Sequence, residues 1–149
     1  MINTCIKEFQ GEYRWLSNFY DCDIIINDIK YKSVEHAYQS MKTDDINWKM
    51  FCSDFNNSAG KIKKYSKNIK VDSDWKNKNV DIMYSLLVQK YNKEPFYSLL
   101  INTGGSIIQE GNTWNDTFWG IDLNTGIGKN VLGILIMKIR NNFKLNVMF

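Results

Sequence analysis

Apolar and polar positions along the chain change period several times, and each change marks an element. Ile24-Ile25-Ile26 is β-branched, Asn27-Asp28 are residues that tolerate a reversed backbone, and Ile29-Lys30-Tyr31 returns, so residues 22–31 predict a β-hairpin. Ser33 is placed to cap a helix from about Val34 to Thr43, with His36 rather than Glu at the third position, a cap without a capping box. Shorter helices are expected over Ile46–Phe55 and Ala59–Tyr65. Asp72 or Ser73 is expected to cap a longer one through Tyr91, where Trp75, Val80, Met83, Leu86, Leu87 and Tyr91 recur near 3.6 residues. Pro95 suits the first turn of a short helix over Phe96–Leu100, and Ser106–Gln109 reads as a strand. Gly111–Gly128 is a long loop rich in glycine, asparagine and tryptophan, followed by an apolar helix from about Lys129 to Phe143 in which Gly133 permits close packing. The sum is an α+β fold, mainly helical, with a short β-hairpin and small strands, expected as one compact domain over residues 1–149.

Composition narrows the class. The 149 residues are 44% hydrophobic, 14% aromatic and 23% charged, which describes a packed chain and excludes disordered and collagen-like classes. No apolar run approaches the roughly 18 residues of a membrane span, and Lys7 and Glu8 interrupt the place where a signal peptide would be apolar, so a cytoplasmic protein is expected, with no membrane partner. The net charge of +3 is too small for affinity built on many phosphate contacts, so nucleic acid is admitted as a substrate but not indicated. Cys5, Cys22 and Cys52 form no CxxC pair and are expected to be reduced thiols. With a single histidine, zinc sites and Ser-His-Asp triads are disfavoured, and no metal and no cofactor are expected.

Three segments carry candidate chemistry. Tyr13 to Tyr20 sets four aromatics around Ser17-Asn18, either as a core-plugging turn or as a pocket wall that stacks and orients a planar ring. On the helix from Val34, the residues Val34, Ala37, Tyr38 and Met41 form an apolar stripe. Glu35, Gln39 and Lys42 fall within about 60° of one another on its flank, the half-desolvated setting in which a lysine becomes nucleophilic and a glutamate carries protons. An ordinary exposed stripe has the same spacing, and His36, pointing away from both, is expected at the surface. The third segment, Glu110 to Gly120, puts two carboxylates among three aromatics, the residue types needed to stabilise an oxocarbenium-like cation while a base departs. Gly126-Ile127-Gly128-Lys129-Asn130 is neither a Walker A loop nor a dinucleotide fingerprint. It opens a helix and could hold a phosphate. Lys61, Lys63, Lys64 and Lys67 read as a solvated face rather than a binding patch.

Trp15-Leu16-Ser17-Asn18-Phe19, Glu35-His36-Ala37-Tyr38-Gln39 with Lys42, Trp75 with Ile82-Met83, Glu110 with Asp116 and Trp119-Gly120, and Gly128-Lys129-Asn130-Val131-Leu132-Gly133 together resemble the NADAR superfamily, in order and spacing from about Phe9 to Arg140. That family includes N-glycosidases acting on intermediates of riboflavin synthesis. The resemblance implies a helix-dominated α+β fold, no metal, and hydrolysis of a bond between ribose C1 and nitrogen. The implied substrate is either a guanine carrying ADP-ribose, as nucleotide or in nucleic acid, or a ribosylated amino-pyrimidine. Carried onto matching positions, Glu35, Lys42 and Asp116 become the catalytic candidates. Trp15, Ser17, Asn18, Phe19, Gln39, Glu110, Asn112, Trp119, Gly120, Lys129 and Asn130 become the substrate-binding candidates. An acid and an amine from the early helix would then meet an acid of the late loop around one sugar. The chain departs from the family at Gly60-Lys61-Ile62-Lys63-Lys64, where a more arginine-rich stretch is expected, and only Arg14 and Arg140 are available for bidentate phosphate contacts. The alternative reading is a non-catalytic module that captures ADP-ribose or another NAD-derived nucleotide.

Overall fold

Asn27 and Asp28 both take left-handed backbone conformations, with φ of 48° and 66°, the geometry of a two-residue turn whose twist suits the strands it joins. That turn sets the hairpin. In a computed structural model that describes residues 4–147, strands β2 (Ile24–Ile26) and β3 (Ile29–Tyr31) pair antiparallel with Ile24 opposite Tyr31. They follow β1 (Cys5–Ile6) and a 3₁₀ helix over Gly11–Leu16. The remaining elements are α1 (Val34–Ser40), α2 (Ile46–Ser53), α3 (Ala59–Tyr65), a short 3₁₀ turn over Ser66–Asn68, α4 (Trp75–Tyr91), α5 (Phe96–Ile101), β4 (Ile107–Ile108), β5 (Gly111–Asn112), β6 (Ile121–Asp122) and α6 (Val131–Val147). The architecture is α+β and mainly helical, and the described residues fall into two compact units.

One unit comprises the chain up to Ser17 and from Tyr91 onward. Its strands make two parallel pairs, β1 with β4 and β5 with β6, in the registers Ile6 to Ile108 and Gly111 to Ile121. Helix α6 lies on β4 and α5. It approaches closely because a Cβ at Gly133 would overlap the Ile108 carbonyl oxygen. Its buried face, Leu132, Leu135, Ile136 and Ile139, covers fully buried Leu100 and Ile108, while Trp15 meets Tyr91 edge to face at 6.4 Å.

The other unit is Asn18–Lys90. Here α1 packs against α2, α3 and both strands of the hairpin, with Ile24, Tyr31, Val34, Ala37, Cys52 and Ile62 within 1% of full burial. The hairpin's outer edge is closed by a side chain: Gln89 accepts from the Ile25 amide at 2.6 Å and donates to its carbonyl at 3.0 Å, completing one rung as a strand would.

Several expected boundaries move. The strand expected over Ser106–Gln109 contracts to Ile107–Ile108, and the last helix continues past Phe143 to Val147. The segment Gly111–Gly128 is not a structureless loop, because the pair β5–β6 ties its start to Ile121–Asp122. Tyr13–Leu16, which shows neither helical nor strand period, is 3₁₀ helix, with Trp15 and Leu16 buried. Before α4 it is the Asp72 carbonyl that accepts the Trp75 amide, while the Asp72 carboxylate pairs with Lys78 at 3.4 Å.

Candidate active site

The candidates on the early helix all lie in the unit Asn18–Lys90, and α1 differs from an amphipathic stripe. Every residue from Val34 to Ser40 is buried, so Glu35 and Gln39 are core-lining polar groups rather than the flank of an exposed face. The cause is that α2, α3 and the hairpin enclose the helix from several sides, leaving no solvent face for a seven-residue element.

The histidine is the clearest correction. His36 is 2% exposed, not at the surface. Ser33 Oγ, which accepts the His36 amide at 3.2 Å as the helix cap, lies 2.6 Å from Nδ1, and Nε2 is 2.8 Å from the Asn57 carbonyl. Nε2 therefore donates to the carbonyl, while Nδ1 and the serine hydroxyl share a hydrogen bond. Its role is to tie the helix start to the segment before α3, and no nitrogen is left over for chemistry.

Around Glu35 the geometry is tight. Its amide donates to the Asn18 carbonyl at 3.0 Å, and its Oε1 accepts from Gln39 Nε2 at 2.8 Å one turn along the helix. The Gln39 carbonyl accepts from Trp48 Nε1 at 2.8 Å. Two buried acceptors here meet no donor, Asn18 Oδ1 and Gln39 Oε1, although the residues are only 8% and 3% exposed. Each such group costs folding roughly 1–3 kcal/mol.

Lys42 is not part of α1, which ends at Ser40. The helix closes with a tightened turn in which the Met41 and Lys42 amides reach the Tyr38 and Gln39 carbonyls. This turn still carries the amine back along the helix, with Nζ 5.8 Å from the Tyr38 ring centroid. Burial pushes the Lys42 amine below its usual range, the nearby Glu35 carboxylate opposes that, and the Lys63 ammonium reinforces it. Cys52, fully buried behind them, is pushed up to about 12 by desolvation and is an inert thiol rather than a nucleophile. Lys63 is a neighbour of Lys42 that the sequence did not single out. It lies exposed on α3 as a solvated face requires, yet its Nζ stands 5.7 Å from the Phe19 ring and its charge acts on Lys42. Nothing in the spacing of residues 19, 42 and 63 announces that meeting.

The late candidates lie in the other unit, and Asn112 organises them. Only 1% exposed, it donates Nδ2 to Glu110 Oε2 at 3.1 Å and to the Asp116 carbonyl at 2.8 Å, while its Oδ1 accepts the Trp114 and Asp116 amides. Asp116 Oδ1 accepts the Phe118 and Trp119 amides at 3.2 and 2.9 Å. Gly120 is required because a Cβ there would overlap the Glu110 carboxylate and carbonyl. Asn130 (φ 51°) bonds the Glu110 amide at 3.0 Å and the Ile108 carbonyl at 2.9 Å. Asn130 thus spends its amide on the backbone, and Asn112 divides its own between the backbone and the Glu110 carboxylate.

The start of α6 does not form a phosphate cradle. The Lys129, Asn130, Val131 and Leu132 amides donate to the carbonyls of Thr117, Gly120, Phe118 and Trp119, and Gly128 lies against the Gly120 backbone. The donors a phosphate would need are occupied. The Lys129 ammonium remains exposed, 5.8 Å from the Phe118 ring. Trp15 is buried, and Ser17, Phe19 and Trp119 are half-buried. Among the described residues no three His, Cys, Asp or Glu side chains gather as a metal site would require, and no helix is long and apolar enough to cross a membrane. The described cysteines are all free thiols.

Comparison with known proteins gives a consistent picture. A family model described as the NADAR domain matches residues 6–144. Among curated proteins, a riboflavin biosynthesis protein of Vibrio vulnificus is 28% identical over 134 residues, covering 87% of this chain and 35% of that protein. The chloroplastic riboflavin biosynthesis protein PYRR of Zea mays is 35% identical over 72 residues, 48% of this chain and 11% of its own. The chain spans well under half the length of either relative. Among solved structures, the NMR structure of the Escherichia coli protein YbiA superposes with a TM-score of 0.86 at 23% identity, covering 99% of this chain and 89% of that one, a likeness of fold.

Proposed function

Since the chain belongs to the NADAR domain family, we propose that it hydrolyses the N-glycosidic bond between ribose C1 and a nitrogen base. The observation that carries this reading is the Glu35–Lys42 pair: a buried carboxylate steadied by Gln39, beside an amine whose proton is loosened by burial. A ribosylated amino-pyrimidine is the first substrate to test, because the curated relatives are named for riboflavin biosynthesis, and an ADP-ribosylated guanine is the second.

In the proposed mechanism the free Lys42 amine bonds to C1 while the C1–nitrogen bond breaks. The base departs with its bonding electron pair and takes a proton from Glu35 in its carboxylic acid form. The resulting glycosylamine opens its ring to a Schiff base, and water adds to release ribose and return the amine. The competing course has no adduct, with Asp116 or Glu110 stabilising the cation and activating water. Lys42 is favoured as nucleophile because a lysine needs a lowered pKa to be unprotonated near neutrality, and burial supplies one. Trp15, Ser17, Phe19, Trp119 and Lys129 are assigned to substrate contact by the family pattern. Asn112 and Asn130 are assigned to holding the loop that bears the acids.

The test is incubation with ribosylated amino-pyrimidine and with ADP-ribosylated guanosine, following base release, with borohydride added to parallel samples. Base release together with sugar mass trapped on the wild-type chain and absent from Lys42→Ala supports the covalent course. Release without trapping supports direct hydrolysis. Binding with no release of base from either substrate would instead make this a nucleotide-capturing module.

A further inference from the structure

We propose that Trp75 is a positioning residue for the Lys42 amine, acting through the Tyr38 ring beside which the amine lies. The proposal rests on the reading of Lys42 as the nucleophile and names what holds that group in place. All three residues belong to the unit Asn18–Lys90.

Lys42 is poorly fixed by its neighbours in sequence. It follows the end of α1, its amide reaches the Gln39 carbonyl only at 3.3 Å, and its amine sits on a long flexible stem. The turn that opens α4 supplies what is missing, at both ends of the residue. The Asp72 amide donates to the Lys42 carbonyl at 2.8 Å, which pins the main chain. The Asp72 carbonyl accepts the Trp75 amide at 3.1 Å, so the same turn sets Trp75. The Trp75 ring meets the Tyr38 ring at 5.1 Å between centroids, with the planes tilted by 55°. Lys42 Nζ stands 5.8 Å from that Tyr38 ring.

Tyr38 and Trp75 are buried, so their rings are held by packing. A tilted pair at this separation is a favourable aromatic contact with a preferred angle, which an aliphatic side chain in place of Trp75 would not impose. The ring face in turn attracts the ammonium, so the orientation of Tyr38 bears on where the amine rests. An amine displaced by about 1 Å from the carbon it must attack loses rate steeply, by about 10²-fold, while the contacts that hold the rest of the substrate remain. Trp75 therefore acts on kcat rather than on KM.

The experiment combines NMR of the full chain, carrying carbon-13 at the lysine ε position, with the kinetics of base release from ribosylated amino-pyrimidine and ADP-ribosylated guanosine. Lys42→Arg identifies the Lys42 signal. In the wild type that signal is expected to show a nuclear Overhauser contact to the Tyr38 ring. Trp75→Phe is expected to keep the contact and to hold kcat within about threefold. Trp75→Leu is expected to weaken the contact and to lower kcat about 10-fold or more, with KM within about threefold. Tyr38→Leu combined with Trp75→Leu should lose no more than Tyr38→Leu alone, since one residue acts through the other. A Trp75 that merely fills the core would cost melting temperature while the folded fraction kept the Lys42 contact and the wild-type kcat, and that result overturns the proposal. So do additive losses in the double variant and a wild-type spectrum without the contact, which needs no variant to fold. If no substrate releases base, the glycosidase reading fails and the spectra alone decide the positioning of the amine. If Lys42→Ala releases base as fast as wild type, Lys42 is not the nucleophile, and the spectra again decide.

Discussion

Gln39 holds Glu35 in place from one turn away, Nε2 to Oε1 at 2.8 Å, on a helix with no exposed residue. A carboxylate so held is pre-oriented, and that is what a proton carrier needs. Glu35→Gln preserves shape and removes the ionisable group. We expect kcat for base release to fall by about 10²–10⁴ while the melting temperature stays within a few degrees. Comparable losses of activity and stability would point to a structural role instead.

Lys63 acts on Lys42 through its charge, so its effect belongs in a pH profile. A like charge disfavours the ammonium form. Lys63→Gln therefore raises the Lys42 pKa, and the limb along which activity grows as the amine deprotonates shifts to higher pH. Glu35→Gln removes an opposing charge and shifts the residual limb to lower pH. Rate measurements from pH 6 to pH 10 check both signs, and two shifts in the same direction would contradict the assignment of that limb to Lys42.

Lys90 is fully buried, and desolvation takes its amine from 10.5 down to about 7, opposed by the Cys22 charge. Between these values the unfolded chain binds more protons than the folded one. Stability should therefore rise with pH from about 7 toward 10.5 and be flat below 7, where both forms are protonated. Lys90→Met removes the buried amine. We expect it to flatten that slope, as urea unfolding at several pH values will register.

Asp116 caps the turn that follows it, and the proposed function gives it a second, separable role as an acid. Its Oδ1 accepts the Phe118 and Trp119 amides, which Asp116→Asn can still do, whereas Asp116→Ala cannot. Asn should keep stability and lose activity, while Ala should lose activity and a further 0.5–2 kcal/mol or so of stability. Equal stability of the two variants would show that the turn does not depend on this side chain.

Gly120 has no room for a methyl group beside Glu110. Gly120→Ala is expected to cost about 1–3 kcal/mol, equivalent to a drop of several degrees in melting temperature, because the obstruction includes the Glu110 backbone, which has no second rotamer. An unchanged melting temperature would show that the loop yields.

Much of this was legible in advance for a local reason. The Asn27-Asp28 turn, the Ser33 cap and the span Ala59–Tyr65 are decided by residues adjacent in sequence, and all three appear where pattern and cap chemistry put them. The burial of His36 is not legible in advance, because helical periodicity measures the angle between side chains, not the number of elements packed around the helix. The pairing within the late loop is not legible either, because two-residue strands are too short to show a period.

The sequence by itself determined the family, the mainly helical α+β class, the hairpin and the short list of acids, amide and amine that chemistry could use, since these depend on neighbours along the chain. Only the tertiary structure decided that α1 is enclosed on all sides, that Lys63 bears on Lys42, that the amides opening α6 are spent on residues 117–120, and that two amide oxygens beside Glu35 go unmet. Desolvation, charge coupling and hydrogen-bond satisfaction depend on distances between residues far apart in sequence, and those distances exist only once the chain has packed.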